Sequence, residues 1–223
     1  TINEFEAYCD KLGVQNWVEK IVLHNTVSPS LANRPGGILT SQHISNLKSY
    51  YESKGWSAGP HLFVDATGIW VFTPLDKKGV HSPSYNSKAW GVEMLGDYNE
   101  ESFNSGLGAA VANNAQHAIA SLAQIQGWTN ISSKMLLHKE DLATTHDCPG
   151  KNVIKADFIN KVNDILKPTP APNNFSVVAN GVVLKGAYKD NNSVTFVPLR
   201  ALCDAMGLKI EYISAEDKVI VSK

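Results

Sequence analysis

Two histidines and a cysteine have the side-chain types of a zinc site. His24 ends the apolar run 21–23, His138 ends a second strand-like run at 135–137, and nine residues separate His138 from Cys148. Imidazole and thiolate are ligands that zinc prefers, and three protein ligands leave a fourth position open for water. An open zinc site is more typical of hydrolysis than of a structural role. We therefore predict that His24, His138 and Cys148 bind Zn²⁺.

Glu93 is a carboxylate within the otherwise apolar run 91–95. A buried carboxylate is costly unless it is paired or used in chemistry. It could act as a general base that takes a proton from a zinc-activated water molecule. The alternative is a structural residue on the outward face of an alternating strand, and the run alone leaves both interpretations open.

Four segments carry a family resemblance, and they occur in the family's order within residues 1–166. They are IVLHNT at 21–26, GPHLFVDATGIWVFTPL at 59–75, GVHSPSYNSKAWGVEMLGDY at 79–98 and LLHKEDLATTHDCPGKN at 136–152. Together they resemble the zinc-dependent N-acetylmuramoyl-L-alanine amidases, a superfamily that includes phage endolysins, wall-recycling amidases and peptidoglycan recognition proteins. The resemblance implies an α/β fold in which helices flank a central mixed β-sheet. It also implies peptidoglycan as the partner and cleavage of the amide bond between N-acetylmuramic acid and L-alanine.

The resemblance assigns roles to further residues. Many relatives have a glutamate at the position of Glu93, whereas others use a tyrosine directly before the histidine of a GxH motif. Pro60 occupies that tyrosine position here, which favours Glu93 as the base. His146 corresponds to a polar or cationic helper, often lysine, that stabilises the oxyanion. Five residues resemble positions that contact the substrate or support the zinc ligands: Asn25, Thr26, His61, His81 and Asn86.

Other interpretations of the thiol stay open. His146 lies two residues before Cys148 and could replace it as the third zinc ligand. Cys148 could instead be a nucleophile paired with His138 or His146, although wall-lytic cysteine peptidases usually place their cysteine before the histidine. A recognition protein that binds peptidoglycan without cleaving it is a further alternative, but such proteins usually lack the cysteine ligand.

The composition excludes several classes of partner. The formal net charge is −1 and the sequence contains no basic block, so nucleic acid is not an expected partner. No apolar run approaches the roughly 20 residues of a membrane span. The first residues have neither the basic start nor the apolar core of a signal peptide. We therefore expect a phage endolysin that stays in the host cytoplasm until lysis, or alternatively a secreted wall hydrolase with its signal removed.

The sequence predicts two domains joined by a linker. Alternate prolines at 168–174 favour an extended linker between a catalytic domain at 1–167 and a small α+β domain at 175–223. In the first domain we predict strands at 20–24, 61–65, 69–72, 90–95 and 135–137, and helices at 1–12, 40–54, 107–126 and 153–166.

The tail resembles the small module named after the N-terminal domain of copper amine oxidases. The resemblance brings no copper site, because the tail contains no histidine. We expect the tail to bind the wall or to join two copies of the chain, and to do no chemistry. Cys9 and Cys203 lie at helical spacing among apolar residues, so we predict that both are buried.

Overall fold

The computed structural model describes residues 1–167, 177–184, 188–189, 195–213 and 218–222. Contacts between residues divide the chain into two compact units, Thr1–Lys167 and Pro168–Lys223. The linker predicted at 168–174 lies outside the described residues. Each unit has helices and strands of its own.

The first unit is built on a five-stranded sheet with the strand order β3-β2-β4-β1-β5. Strands β1, β2, β4 and β5 are parallel, and β3 runs antiparallel to β2. This is the mixed sheet that the sequence predicted. The strands are β1 (Lys20–Asn25), β2 (Leu62–Val64), β3 (Ile69–Val71), β4 (Ala89–Met94) and β5 (Met135–Leu137).

Helices flank this sheet. They are α1 (Ile2–Cys9), α2 (Ser41–Ser53), α3 (Gly106–Ile125) and α4 (Lys155–Leu166), with 3₁₀ turns at Pro35–Gly37 and His138–Glu140. The side chains of Thr1 and Glu4 cap the start of α1 reciprocally, as their spacing predicts. One face of α3 is buried, at Val111, Ala115, Ala118, Leu122 and Ile125, so this helix stabilises the sheet through its packing.

The parallel strands bring chemistry-bearing residues to one edge of the sheet. Carboxyl ends of parallel strands lie at the same edge, where open α/β sheets usually bind ligands. His24 on β1 lies opposite Glu93 on β4, and His138 directly follows β5. Residues that are distant in the sequence therefore meet because of strand pairing.

The second unit is a small α+β arrangement. Its strands are β6 (Val177–Ala179), β7 (Val182–Leu184), β8 (Tyr188–Lys189), β9 (Thr195–Phe196), β10 (Lys209–Ile213) and β11 (Lys218–Ser222), with helix α5 (Leu199–Met206) between β9 and β10. Asn180 and Gly181 turn the hairpin between β6 and β7 with φ angles of 49° and 79°. Helix α5 ends at Gly207 in the left-handed conformation that glycine favours. Cys203 is buried, and so is Cys9 in the first unit, as predicted.

Candidate active site

The three predicted metal ligands lie together. Each of His24, His138 and Cys148 offers one ligand atom, and these atoms lie within 4.8 Å of one another. The backbone N–H of Lys139 donates to the carbonyl of Cys148 at 2.8 Å, which brings the end of the 139–147 segment back to the sheet edge. The backbone N–H of Asn25 points at Sγ of Cys148, 3.2 Å away. The fold thus brings the ends of β1 and β5 close to Cys148, which follows the 139–147 segment.

The chemistry of this donor set fits zinc. Two imidazoles and a thiolate are its preferred ligands. Among the described residues, Nε2 of His138 is buried without a hydrogen-bond partner, as expected where a ligand is missing. Burial lowers the pKa of His24 well below its usual value and also lowers the pKa of His138. Both imidazoles are therefore neutral at pH 7, the form that binds metal.

The thiol of Cys148 does not have the lowered pKa of an activated nucleophile. Burial raises its pKa, and the carboxylate of Glu93 raises it further. Catalytic cysteines need a lowered pKa, because the thiolate is the reactive form. The environment of Cys148 therefore favours the ligand interpretation over the nucleophile interpretation.

The three residues lie in a cleft of about 440 Å³. Glu93, His146, His81, Asn86, Asn25 and Thr26 line the same cleft, as do Tyr51, Trp56 and Thr144. Six of the described residues beside the ligand trio are thus polar groups that the sequence singled out. Tyr51, on helix α2, and Thr144 also line the cleft, and the sequence assigned neither of them to the site.

Glu93 is half-buried in the cleft wall. Burial raises the pKa of its carboxyl group to about 8. Within the described part of the chain its carboxylate accepts no hydrogen bond, so it is free to accept one from a ligand. A cation held by the neighbouring His24 would favour the ionised carboxylate. Among the described residues, Glu93 thus presents to the cleft a carboxyl group without a protein partner.

His146 is an exposed residue of the loop between His138 and Cys148. Its ring stacks on that of His138, with the ring centroids 5.1 Å apart. The described residues contain one group of potential metal ligands, and His146 is not in it. This geometry supports Cys148 as the third ligand and leaves His146 free at the mouth of the cleft.

His81 and Asn86 belong to the loop before β4. The side-chain oxygen of Asn86 accepts hydrogen bonds from the backbone N–H groups of His81 and Ser82, at 2.7 and 2.8 Å. Nδ1 of His81 lies 3.1 Å from Nε2 of His24. Both residues line the cleft, and both also hold its structure together.

His61 lies elsewhere, which corrects its predicted contact with the substrate. Its side chain is fully buried and is absent from the cleft lining. Nδ1 accepts from the N–H of Gly91 at 3.0 Å, and Nε2 lies 2.9 Å from the carbonyl oxygen of Lys77. Burial lowers its pKa to about 3, so it is neutral. His61 ties the 77–80 loop to the sheet and has no nitrogen left for a substrate.

Asn25 and Thr26 occupy the end of β1 at the cleft. The side-chain nitrogen Nδ2 of Asn25 donates to the carbonyl of Gly96 at 3.1 Å, while the side-chain oxygen Oδ1 is buried without a partner among the described residues. The hydroxyl of Thr26 donates to the carbonyl of Pro29 and accepts from the N–H of Gly96. Asn25 therefore retains one free acceptor, whereas the hydroxyl of Thr26 is engaged in holding the turn.

Asp141 is a supporting residue that the sequence did not reveal. Its buried carboxylate accepts from the hydroxyl of Ser82 and the N–H of Ser84, so it joins the His81 loop to the His138 loop. These hydrogen bonds lower the pKa of Asp141 against the opposing effect of burial. The only sequence signal is an aspartate three residues before Thr144, a spacing typical of turns.

Known proteins share this sequence pattern and fold. The family model described as N-acetylmuramoyl-L-alanine amidase matches residues 14–151, more than half of the chain. The chain belongs to this amidase family. Peptidoglycan-recognition protein SC2 of Drosophila melanogaster is 25% identical over 146 residues, which are 64% of this chain and 74% of that protein.

Solved structures confirm the predicted fold class of this amidase-family chain. N-acetylmuramoyl-L-alanine amidase LysC from Clostridium intestinale URNW matches with a TM-score of 0.52 and 23% identity, over 66% of this chain and 85% of LysC. Drosophila PGRP-LB matches with a TM-score of 0.50 and 17% identity, over 63% of this chain and 79% of PGRP-LB. In the part of the chain that the structure describes, no helix is long and apolar enough to cross a membrane.

Proposed function

We propose that this chain is a zinc-dependent amidase that hydrolyses the amide bond between the lactyl group of N-acetylmuramic acid and L-alanine. The observation that carries the proposal is the convergence of His24, His138 and Cys148 in a cleft beside the unpaired carboxylate of Glu93. Membership of the amidase family supports the reaction type.

Each residue has a step that its position allows. When it is bound by the three ligands, zinc supplies Lewis-acid activation of water and of the scissile carbonyl. Glu93 accepts the proton of the attacking water at its carboxylate and passes it to the nitrogen of the leaving L-alanine. His146 donates a hydrogen bond to the oxygen that becomes negative in the transition state. Tyr51 and Trp56 provide aromatic surface against which a sugar or peptide can pack.

The test is mass spectrometry of peptidoglycan digested by the full chain, with and without EDTA. We expect stem peptides that begin with a free L-alanine amine, glycan that retains its lactyl groups, and loss of both products in EDTA. Restoring zinc should restore cleavage. Cleavage at a different bond, or undiminished cleavage in EDTA, would overturn the proposal in favour of a cysteine peptidase.

Peptidoglycan recognition without hydrolysis is the second candidate. The similarity to Peptidoglycan-recognition protein SC2 favours it. The complete ligand trio argues against it, because binding alone needs neither a metal-competent thiol nor a free carboxylate beside it. Sedimentation with insoluble peptidoglycan that releases no soluble product would support recognition over catalysis.

We further propose that the chain is a phage endolysin, present in the host cytoplasm until lysis and then at the cell wall. A protein of similar fold is named Endolysine N-acetylmuramoyl-L-alanine amidase LysCS. The alternative location is secretion to the bacterial wall. A fluorescent fusion expressed in the host distinguishes the two, because an endolysin stays inside intact cells.

The second unit is proposed to anchor the enzyme to the wall or to a second copy of the chain. The apolar core of the first unit consists of residues between Phe5 and Val162, which supports independent folding of residues 1–167. That fragment should cleave a soluble muropeptide as fast as the full chain, but cleave intact walls more slowly, because tethering raises the effective concentration. Equal activity on intact walls, with both forms monomeric by sedimentation, would remove this role.

A further inference from the structure

A hydrogen-bonded relay connects the candidate ligand His24 to the backbone of β4. Nε2 of His24 lies 3.1 Å from Nδ1 of His81, and Nε2 of His81 lies 3.1 Å from the carbonyl oxygen of Ala89. The two imidazole rings are nearly perpendicular, with an interplanar angle of 88°. Each nitrogen in this relay therefore has one defined partner.

The carbonyl at the end of the relay fixes the direction of every hydrogen bond. A carbonyl oxygen can only accept, so Nε2 of His81 carries a proton. A neutral imidazole has a single N–H, so Nδ1 of His81 is an acceptor. Nε2 of His24 must then donate to it. Nδ1 of His24 is left with its lone pair, the form that a metal ion requires.

We propose that His81 is a positioning residue that fixes the tautomer and ring orientation of His24, so that Nδ1 of His24 is the metal-binding atom. This inference rests on the proposed function only in taking His24 as a zinc ligand. His81 is not a ligand itself, because the group of ligand atoms within 4.8 Å in the described chain does not include it. Metal-bound histidines generally need such a partner on their second nitrogen.

The surroundings of His81 hold its ring in place. Asn86 accepts from the backbone N–H of His81 at 2.7 Å, which fixes the loop. On the other side, a Cβ atom at Gly91 would lie 2.5 Å from Cγ of His81, so only glycine lets the ring pack against β4. A side chain that contacted substrate alone would not need this support from a loop, a strand and a carbonyl.

The test compares zinc affinity among variants of the full chain by competition with a chromophoric chelator. His81→Phe keeps a ring but removes the acceptor, and it should weaken zinc binding about 10–100-fold, the usual effect of losing such a partner. His81→Asn retains an acceptor oxygen near the position of Nδ1 and should recover most of that loss. His43→Phe is the control: it removes an imidazole that accepts from the backbone N–H of Thr40 outside the cleft, and should leave zinc affinity unchanged.

A measurement on the unaltered chain avoids any dependence on whether these variants fold. Long-range ¹H–¹⁵N spectra of metal-free protein should show His24 protonated at Nε2, and zinc should shift its Nδ1 resonance. A proton on Nδ1 of His24, full zinc affinity in His81→Phe, or equal losses in His81→Phe and His81→Asn would each overturn the inference. None of these readouts involves cleavage, so a failed amidase assay would refute the proposed function alone.

Discussion

Two polar clusters lie at the same edge of the sheet and differ in how their side chains are satisfied. Asp65 directly follows β2, is fully buried, and accepts hydrogen bonds from the backbone N–H groups of residues 39, 67 and 68, the hydroxyl of Thr67 and the indole of Trp70. In the cleft, by contrast, Nε2 of His138 and Oδ1 of Asn25 are buried without partners among the described residues. Burial of a polar group alone therefore does not distinguish the two clusters, whereas the lack of a partner does.

His61 and His138 differ in the same way, in whether their ring nitrogens have hydrogen-bond partners. His61 uses both ring nitrogens on backbone groups, so it stabilises the fold. His138 leaves a buried nitrogen unpaired at the cleft, so it is available for a ligand. Since unpaired buried polar groups cost free energy, the molecule is less stable at the cleft than a fully satisfied site would be. Substitutions in the two clusters should therefore affect different properties.

The largest effect on turnover short of removing the metal is expected at Glu93. Glu93→Gln should lower kcat about 10²–10⁴-fold, the usual cost of losing a general base, with zinc content retained. Steady-state kinetics on a soluble muropeptide and elemental analysis measure the two properties. Glu100→Gln is the control, because that exposed carboxylate lies outside the cleft lining. Near-normal kcat in Glu93→Gln would return Glu93 to a structural role.

Asp65→Asn should show the opposite pattern. The new amide group would face backbone donors, and hydrogen bonds to a charged group contribute about 1.5–3 kcal/mol each. We expect the free energy of unfolding to fall by about 3 kcal/mol, while the folded protein keeps its zinc and its kcat. Urea unfolding and kinetics below the transition provide the measurements. Lost turnover without lost stability would break the contrast between the clusters.

A smaller effect is expected for His146→Ala. Removing a buried oxyanion donor costs about 10²–10³-fold, and the exposed position of His146 should reduce the loss in kcat to roughly tenfold. Zinc content should not change, and His146→Lys should restore part of kcat because an ammonium group also donates. Thr145→Ala, in the same loop but outside the cleft lining, is the control. Loss of zinc in His146→Ala would instead make His146 a ligand.

The strands and the convergence of His24, His138 and Cys148 could be predicted from the sequence, because both have local signals. The run before His24 is apolar and β-branched, and parallel pairing then requires His24 and Glu93 to share the sheet edge. The sequence did not separate the roles of His61 and His81, since each follows a glycine by two residues in a similar motif. The ring of His61 contacts the carbonyl of Lys77, whereas the ring of His81 contacts the carbonyl of Ala89. These contacts depend on the tertiary fold, which the local sequence does not reveal. Asp141 was missed for the same reason.

The most direct test of the account is the zinc content of Cys148→Ser. The unaltered chain should bind one zinc ion by elemental analysis after dialysis. Cys148→Ser should bind it far more weakly, because a serine hydroxyl is a poor substitute for a thiolate, and should lose cleavage with it. Cys9→Ala, which removes a buried thiol outside the cleft, should keep full zinc. A folded Cys148→Ser protein with full zinc and full turnover would contradict the ligand assignment and make His146 the third ligand.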